Sequence, residues 1–182
     1  DGAPWITWDP QATTLPSQES LERLAKALDS AECPVLVCGQ HRCTEEEVQE
    51  LMGLARSRGL VLLADPTSQL RFAPGAPEHV ITTYDALLRT PDVRQQLCPD
   101  LVIRFGAQPT SKVYRFWREQ HPEVPETLVH PYGMMLEPSQ LSHTVLVGQT
   151  GAVARELLSR TSRTHHEDVW TRTWQDFDAR AK

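Results

Sequence analysis

Residues 34–64 read PVLVCGQHRCTEEEVQELMGLARSRGLVLLA and decide the fold of this chain. The apolar run Pro34–Cys38 is typical of a strand that is buried on both faces of a parallel sheet. Thr44 and Glu47 then have the spacing of a capping box and predict the start of a helix. A second apolar run at residues 60–64 follows that helix. Strand, helix and strand in this order predict a right-handed crossover between parallel strands.

The rest of the chain repeats this alternation. Apolar runs predict further strands at residues 79–82, 101–105, 127–130 and 144–147. Helical patterns fall at residues 17–31, 84–88, 111–120, 150–160 and 165–181. Residues 1–182 are therefore expected to form a single α/β domain: a doubly wound, Rossmann-like, six-stranded parallel sheet with helices on both faces. In such sheets ligands bind beyond the carboxyl ends of the strands, so the loops there hold the candidate residues.

Composition excludes several classes of protein. The chain of 182 residues carries a formal charge of −6, which argues against a nucleic-acid-binding domain. The mean hydropathy is −0.41, and no apolar run is long enough to cross a membrane. Four cysteines in a domain with its own core predict free thiols in a reducing compartment, and hence a cytoplasmic protein. Cys38, His41 and Cys43 offer zinc-ligand types, but their spacing fits no standard site.

The sequence signal for dinucleotide binding is weak. Only Gly39 of the G-x-G-x-x-G fingerprint is present, and Asp65 follows the second strand where a ribose-binding carboxylate would lie. The alternative is that Gly39 makes a turn and Asp65 caps a loop. Residues 165–167, His-His-Glu, are expected on the solvated face of the last helix rather than in a metal site. We find no Walker lysine motif, no G-x-S-x-G elbow and no nucleophile–base pair.

The loop at residues 106–112 is the most informative. It leaves a buried strand and enters a helix, whose free N–H groups and dipole favour an anion. Lys112 lies in the first turn, where that dipole disfavours a cation. Either the lysine meets a carboxylate or phosphate, or it is simply solvated. In the same helix we expect Val113, Phe116 and Trp117 on the core face.

Five segments together resemble the central domain of the 2-succinyl-5-enolpyruvyl-6-hydroxy-3-cyclohexene-1-carboxylate synthase family. They are PVLVCG at 34–39, LADPTSQLR at 63–71, HVITTYDALL at 79–88, PDLVIRFG at 99–106 with PTSK at 109–112, and Trp170-x-x-x-Trp174. The resemblance covers essentially the whole chain, and the strand–loop–lysine segment is its most specific part.

The resemblance implies a transferase of menaquinone biosynthesis with three domains. A pyrimidine-binding domain precedes the central one and a diphosphate-binding domain follows it. The outer domains hold thiamine diphosphate and Mg²⁺, and the enzyme is a homo-oligomer. It decarboxylates 2-oxoglutarate and adds the succinyl unit to isochorismate. We therefore expect an excised central domain with no catalytic residues of its own, inactive alone and without a bound cofactor.

Residue by residue, the resemblance makes Lys112 a contact for a substrate carboxylate. Ser111, Gln69 and Arg71 are weaker candidates for the same role. Some relatives carry a second basic residue directly after the lysine, and this chain has Val113 there.

Charge alone suggests Arg71 and Arg104 as a site for an acidic effector, provided that Arg104 finds a partner if it is buried. Two other functions remain open. One is an independent NAD- or FAD-binding domain. The other is an assembly module with an exposed patch around Trp5, Trp8, Trp170 and Trp174.

Overall fold

The computed structural model of the chain describes residues 13–40, 42–73, 79–133 and 140–182. The strands in these ranges are β1 Pro34–Cys38, β2 Val61–Ala64, β3 Val80–Ile81, β4 Leu101–Phe105, β5 Glu126–His130 and β6 Thr144–Val147. The α-helices are α1 Gln18–Ser30, α2 Glu45–Arg58, α3 Tyr84–Arg89, α4 Pro91–Gln96, α5 Lys112–Glu119, α6 Thr150–Arg160 and α7 Val169–Ala181, and a short 3-10 helix spans Gln69–Phe72. No helix within the described ranges is long and apolar enough to cross a membrane.

The strands form one parallel sheet in the order β3-β2-β1-β4-β5-β6. The strands β1, β2 and β3 form one half of the sheet. The next strand, β4, lies on the other side of β1 and pairs with it in the register Pro34↔Leu101. This order confirms the predicted doubly wound α/β fold. It also places the topological switch point between β1 and β4, where such folds bind ligands.

Helices cover both faces because the buried strands alternate their side chains between two cores. Leu36 and Leu62 point into a core with α1, α2 and α6, whereas Val35 and Val61 point into a core with α3, α5 and α7. The helix α2 opens with the predicted capping box, in which Thr44 and Glu47 each bond to the other's backbone. The local sequence signal and the tertiary packing therefore specify the same helix in the first crossover.

The second core contains a chain of aromatic rings. Trp174 packs edge-on against Trp117 at 6.3 Å and against Trp170 at 5.8 Å between ring centroids. Both Trp170 and Trp174 are buried, so they hold α7 on the sheet and form no exposed patch. Trp5 and Trp8 lie outside the described residues. On α5 the expected core face is wrong in one position: Tyr114 is buried with Trp117, and Phe116 faces solvent.

Three secondary-structure elements differ from the sequence prediction. The strand β5 begins at Glu126, one residue early, because Glu126 pairs in register with Val102. The strand β6 is not a buried run: Thr144 and Val147 are exposed, since β6 is the edge of the sheet. The helix α4 was not predicted, although Pro91 at its first position is a known start signal.

The segment before α7 also differs. The helix begins at Val169, so the histidine pair precedes it. His165 is buried, with its Nδ1 at 2.8 Å from Oδ2 of Asp168, while His166 and Glu167 are exposed. Burial lowers the pKa of His165 below its usual value in spite of the Asp168 contact. His165 is therefore a packed core residue and not part of a solvated helix face.

Candidate functional site at the carboxyl edge of the sheet

At the switch point the loops after β1 and β4 contact each other through their backbones. The amide of Gly39 donates to the carbonyl of Phe105 at 3.0 Å, and the amide of Ala107 donates to the carbonyl of Gln40 at 3.0 Å. A Cβ on Gly39 would run into the carbonyl oxygen of Ala107. The glycine therefore serves the close approach of two loops. A dinucleotide pyrophosphate would have to occupy the place where these loops meet.

Asp65, the candidate ribose ligand, is fully buried and already bonded to three residues. Its carboxylate accepts hydrogen bonds from the amide of Thr67 at 2.9 Å, the hydroxyl of Tyr84 at 2.9 Å and the amide of Thr110 at 2.9 Å. Burial alone would raise the pKa of Asp65, but these hydrogen bonds outweigh it and hold the pKa below its usual value. Asp65 therefore ties the loop after β2 to α3 and to the loop after β4.

Ser111 caps α5 and links it to α3. Its hydroxyl accepts a hydrogen bond from the amide of Tyr114 at 3.1 Å and donates to Oδ1 of Asp85 at 2.6 Å. The other oxygen of Asp85 accepts from Arg89 at 2.9 Å. The hydrogen bond from Ser111 is the main reason why the pKa of Asp85 lies below its usual value.

Lys112 is the first residue of α5 and is exposed. Within the part of the chain that the structure describes, its ammonium group forms no hydrogen bond or ion pair. The helix dipole makes this an unfavourable place for a cation that has no partner. The arrangement is suited to a ligand carboxylate or phosphate that approaches from outside the domain.

Gln69 and Arg71 bond to neighbouring backbone. The side-chain oxygen of Gln69 accepts a hydrogen bond from the amide of Cys43 at 2.6 Å. Arg71 donates to the carbonyls of Ala64 at 3.2 Å and Thr82 at 2.7 Å. These contacts hold the 3-10 helix against the ends of β2 and β3, so both side chains brace the carboxyl edge.

Arg104 is fully buried and belongs to a group of three charged residues on the other half of the sheet. Its Nε donates to Glu126 at 2.7 Å, and Arg118 donates to the second oxygen of Glu126 at 3.1 Å. A hydroxyl of Ser142 and the carbonyl of Gly106 bond to the remaining nitrogens of Arg104. Arg104 thus has the partner that burial requires.

The structure does not bring the two arginines of the expected effector site together. Arg71 is attached to β2 and β3, while the head of Arg104 turns toward β5. Arg104 lies on β4, which β1 separates from β2, so these two strands are about 10 Å apart at the usual spacing of strands.

A cleft of about 1180 Å³, missed by the sequence analysis, lies at the same edge between α2 and α6. Its polar lining includes Gln40, Arg42, Gln69, His130, Tyr132, Gln149 and Arg155, together with Glu46, Glu47 and Glu50. Arg155 is paired with Glu50 at 3.0 Å. Two cations beside three carboxylates give the cleft no excess positive charge. In the sequence, only the loops that follow β1, β5 and β6 pointed to this cleft.

The described residues do not fit a metal–diphosphate group. Within residues 13–40, 42–73, 79–133 and 140–182, no three His, Cys, Asp or Glu side chains lie close enough to hold a metal ion. His41, which belonged to the weak zinc pattern, is outside these ranges. None of the four cysteines, all of which lie within these ranges, is in a disulfide, as predicted. Since Asp65 is already fully bonded, we derive no step through thiamine diphosphate or Mg²⁺ on this domain.

These features define a Rossmann-like domain that presents a lysine at its carboxyl edge and whose loops after β1 and β4 are hydrogen-bonded to each other at the switch point. The family described as "Middle domain of thiamine pyrophosphate" matches residues 1–182. The chain belongs to this family of thiamine-pyrophosphate-enzyme middle domains.

The curated relatives narrow the resemblance to one enzyme. Several proteins named 2-succinyl-5-enolpyruvyl-6-hydroxy-3-cyclohexene-1-carboxylate synthase match this chain, which confirms the resemblance seen in the sequence. The Geobacillus kaustophilus protein is 32% identical over 167 residues, 91% of this chain and 28% of the relative. The Bacillus pumilus protein is 30% identical over 160 residues, 88% of this chain and 27% of the relative. The Microcystis aeruginosa protein is 37% identical over 142 residues, 76% of this chain and 24% of the relative.

A solved structure shows the same fold. It is the X-ray structure of a protein from Mycobacterium smegmatis described as a thiamin diphosphate-dependent enzyme. The TM-score is 0.57 at 16% sequence identity, over 92% of this chain and 32% of that one. The chain thus spans about a quarter to a third of the length of the proteins that it matches.

Proposed function

We propose that this chain is the central domain of a synthase that decarboxylates 2-oxoglutarate and adds the succinyl unit to isochorismate. Relatives of that name match most of the chain, and the matched part is a middle domain. In the full protein, flanking pyrimidine- and diphosphate-binding domains hold thiamine diphosphate and Mg²⁺ in a homo-oligomer. The cofactor supplies the electron sink for the decarboxylation when it is bound there.

The role that we propose for this domain is to orient the substrate and to support the outer domains, without taking part in the chemistry. The contact between Gly39 and Ala107 and the fully bonded Asp65 support this role, because the Ala107 carbonyl lies against the glycine turn and Asp65 has no free oxygen for a ribose. We therefore expect the 182-residue chain to be inactive when it is separated from its neighbours.

The observation that carries the proposal is Lys112. It is exposed, it has no partner among the described residues, and its loop is held by hydrogen bonds to two aspartates. Both proposed substrates carry carboxylates, which an ammonium group binds through charge-assisted hydrogen bonds. We propose that Lys112 contacts one of these carboxylates at the border between this domain and the active site. Ser111, Gln69 and Arg71 then act indirectly, by holding the loops at this edge of the sheet, since each of them already bonds to protein.

The first experiment assays the full-length protein. Purified protein is incubated with 2-oxoglutarate, isochorismate, thiamine diphosphate and Mg²⁺, and the adduct is followed by mass spectrometry. We expect adduct formation that requires all four components, and none with the 182-residue chain alone. Consumption of 2-oxoglutarate without an isochorismate adduct would overturn the assigned reaction.

The second experiment tests Lys112 in the same assay. The variant Lys112→Met keeps the length of the side chain and removes its charge. We expect KM for one of the two carboxylate substrates to rise by about tenfold or more, the usual effect of losing a hydrogen bond to a charged group. Lys26→Met, an exposed lysine on α1, is the matched control and should leave KM unchanged. Equal KM values in both variants would remove Lys112 from the site.

A further inference from the structure

Two consecutive residues before Lys112 are each held by a carboxylate from another part of the fold. Thr110 bonds to Asp65 through its amide, at 2.9 Å, and through its hydroxyl, at 3.1 Å. Ser111 bonds to Asp85 through its hydroxyl, at 2.6 Å. The backbone that leads to the lysine is therefore fixed from two directions.

The Ser111 hydroxyl has no hydrogen left for a ligand. It has one donor, which goes to Asp85, and it also accepts the amide of Tyr114. Asp85 in turn is held from its other side by Arg89, which lies one helical turn further along α3 at 2.9 Å. This set of contacts joins the first turn of α3 to the first turn of α5.

The geometry gives Asp85 an electrostatic effect as well as a mechanical one. Its carboxylate lies at the N-terminus of α5, where a negative charge is favourable and the cation of Lys112 is not. This charge, which Asp85 shares with its ion pair to Arg89, reduces the unfavourable field at the N-terminus of α5 and leaves the Lys112 ammonium group exposed. A flexible four-carbon side chain depends on its first atoms for direction, and these are set by the cap.

We propose that Asp85, acting through Ser111, is a positioning residue for Lys112. This inference rests on the proposed contact between Lys112 and a substrate carboxylate. Asp65 contributes to the same loop, but it is fully buried and its loss would also disturb the fold. The side chain of Asp85 is 42% exposed, so its replacement is tolerable and separates positioning from folding.

The test uses the full-length protein and measures kcat and KM for both carboxylate substrates. We expect Asp85→Ala and Ser111→Ala to raise the KM that Lys112→Met raises, by about three- to tenfold, with kcat little changed. Ser111→Thr keeps the hydroxyl and should restore the normal KM. Asp92→Ala removes an exposed carboxylate from the neighbouring helix α4 and is the matched control.

A double-mutant cycle shows whether Asp85 acts through the lysine. In the Lys112→Met background, Asp85→Ala should produce no further rise in KM. A full additional rise would overturn the positioning role, because Asp85 would then act independently of Lys112. Normal KM values in Asp85→Ala and Ser111→Ala, with Lys112→Met still impaired, would overturn it as well. Normal KM in Lys112→Met itself would instead reject the proposed contact between Lys112 and a substrate carboxylate, on which the inference rests.

Discussion

The carboxylate of Glu126 accepts a 2.7 Å hydrogen bond from Nε of Arg104, and both side chains are sealed from solvent. Arg118, also buried, holds the second oxygen of Glu126. One carboxylate therefore forms ion pairs with two buried guanidinium groups and joins β4, β5 and α5. Because neither arginine can deprotonate, loss of the carboxylate removes an ion pair from each of two buried cations.

Glu126→Gln is expected to destabilise the protein by about 3 kcal/mol, the usual cost of removing one partner from a buried ion pair. The amide keeps the shape and one acceptor oxygen but removes the charge. Glu123→Gln is the control, because the Glu123 side chain is 69% exposed and its loss should change stability by less than about 0.5 kcal/mol. The free energy of unfolding in urea measures both. Equal stabilities would contradict the role of Glu126.

Stability should fall in two steps as the pH is lowered. Burial lowers the pKa of His130 and of His165, so both stabilise the fold fully above about pH 6.5 and lose that contribution below it. Burial acts to raise the pKa of Asp65 and of Glu126, but hydrogen bonds to Asp65 and the arginines beside Glu126 hold both values down. Their contribution is complete above about pH 4.3 and disappears as the pH falls through the lowered values.

Urea unfolding at a series of pH values from 8 to 3 checks this profile. Glu126→Gln should keep the step near pH 6.5 and show a shallower step below pH 4, by up to about 1.4 kcal/mol per pH unit. A free energy of unfolding that stays constant between pH 5 and pH 3 in the unmodified protein would contradict the assignment.

Gly39→Ala should destabilise the protein by about 1–3 kcal/mol, because its methyl group would meet the carbonyl of Ala107. Gly53→Ala is the control: it is the same substitution at a position where the added methyl group meets open space. Gly53 lies within α2 and a Cβ there would meet nothing within 4 Å, so alanine should stabilise the helix by about 0.5–1 kcal/mol. Thermal unfolding of both variants gives the comparison. Stabilisation by Gly39→Ala as well would show that the two loops can separate.

The fold could be predicted from sequence because its signals are local. The run Pro34–Cys38 is buried throughout, and the Thr44–Glu47 box begins α2 where the spacing placed it. The parallel, doubly wound sheet followed from the alternation of strands and helices, since right-handed crossovers leave few arrangements. The edge position of β6 depended on which strand lies last in space, which a local pattern does not contain.

The site was less predictable because its contacts join distant parts of the chain. Asp65 and Thr110 are 45 residues apart, and Ser111 and Asp85 are 26 apart. Nothing in the local sequence shows that a carboxylate after β2 will accept hydrogen bonds from a loop after β4. Lys112 was found because its own position opposes the helix dipole, which is a local signal.

The most direct test of the central claim, a central domain that holds no cofactor of its own, is a ligand-dependent unfolding measurement. The full-length protein and the 182-residue chain are each unfolded by heat alone and with excess Mg²⁺–thiamine diphosphate, NAD, FAD or ADP. A ligand at about 100 times its Kd adds about 2.7 kcal/mol. We predict that Mg²⁺–thiamine diphosphate stabilises the full-length protein and that none of the four ligands stabilises the chain alone. Stabilisation of the 182-residue chain by NAD, FAD or ADP would contradict the account and make this a nucleotide-binding domain.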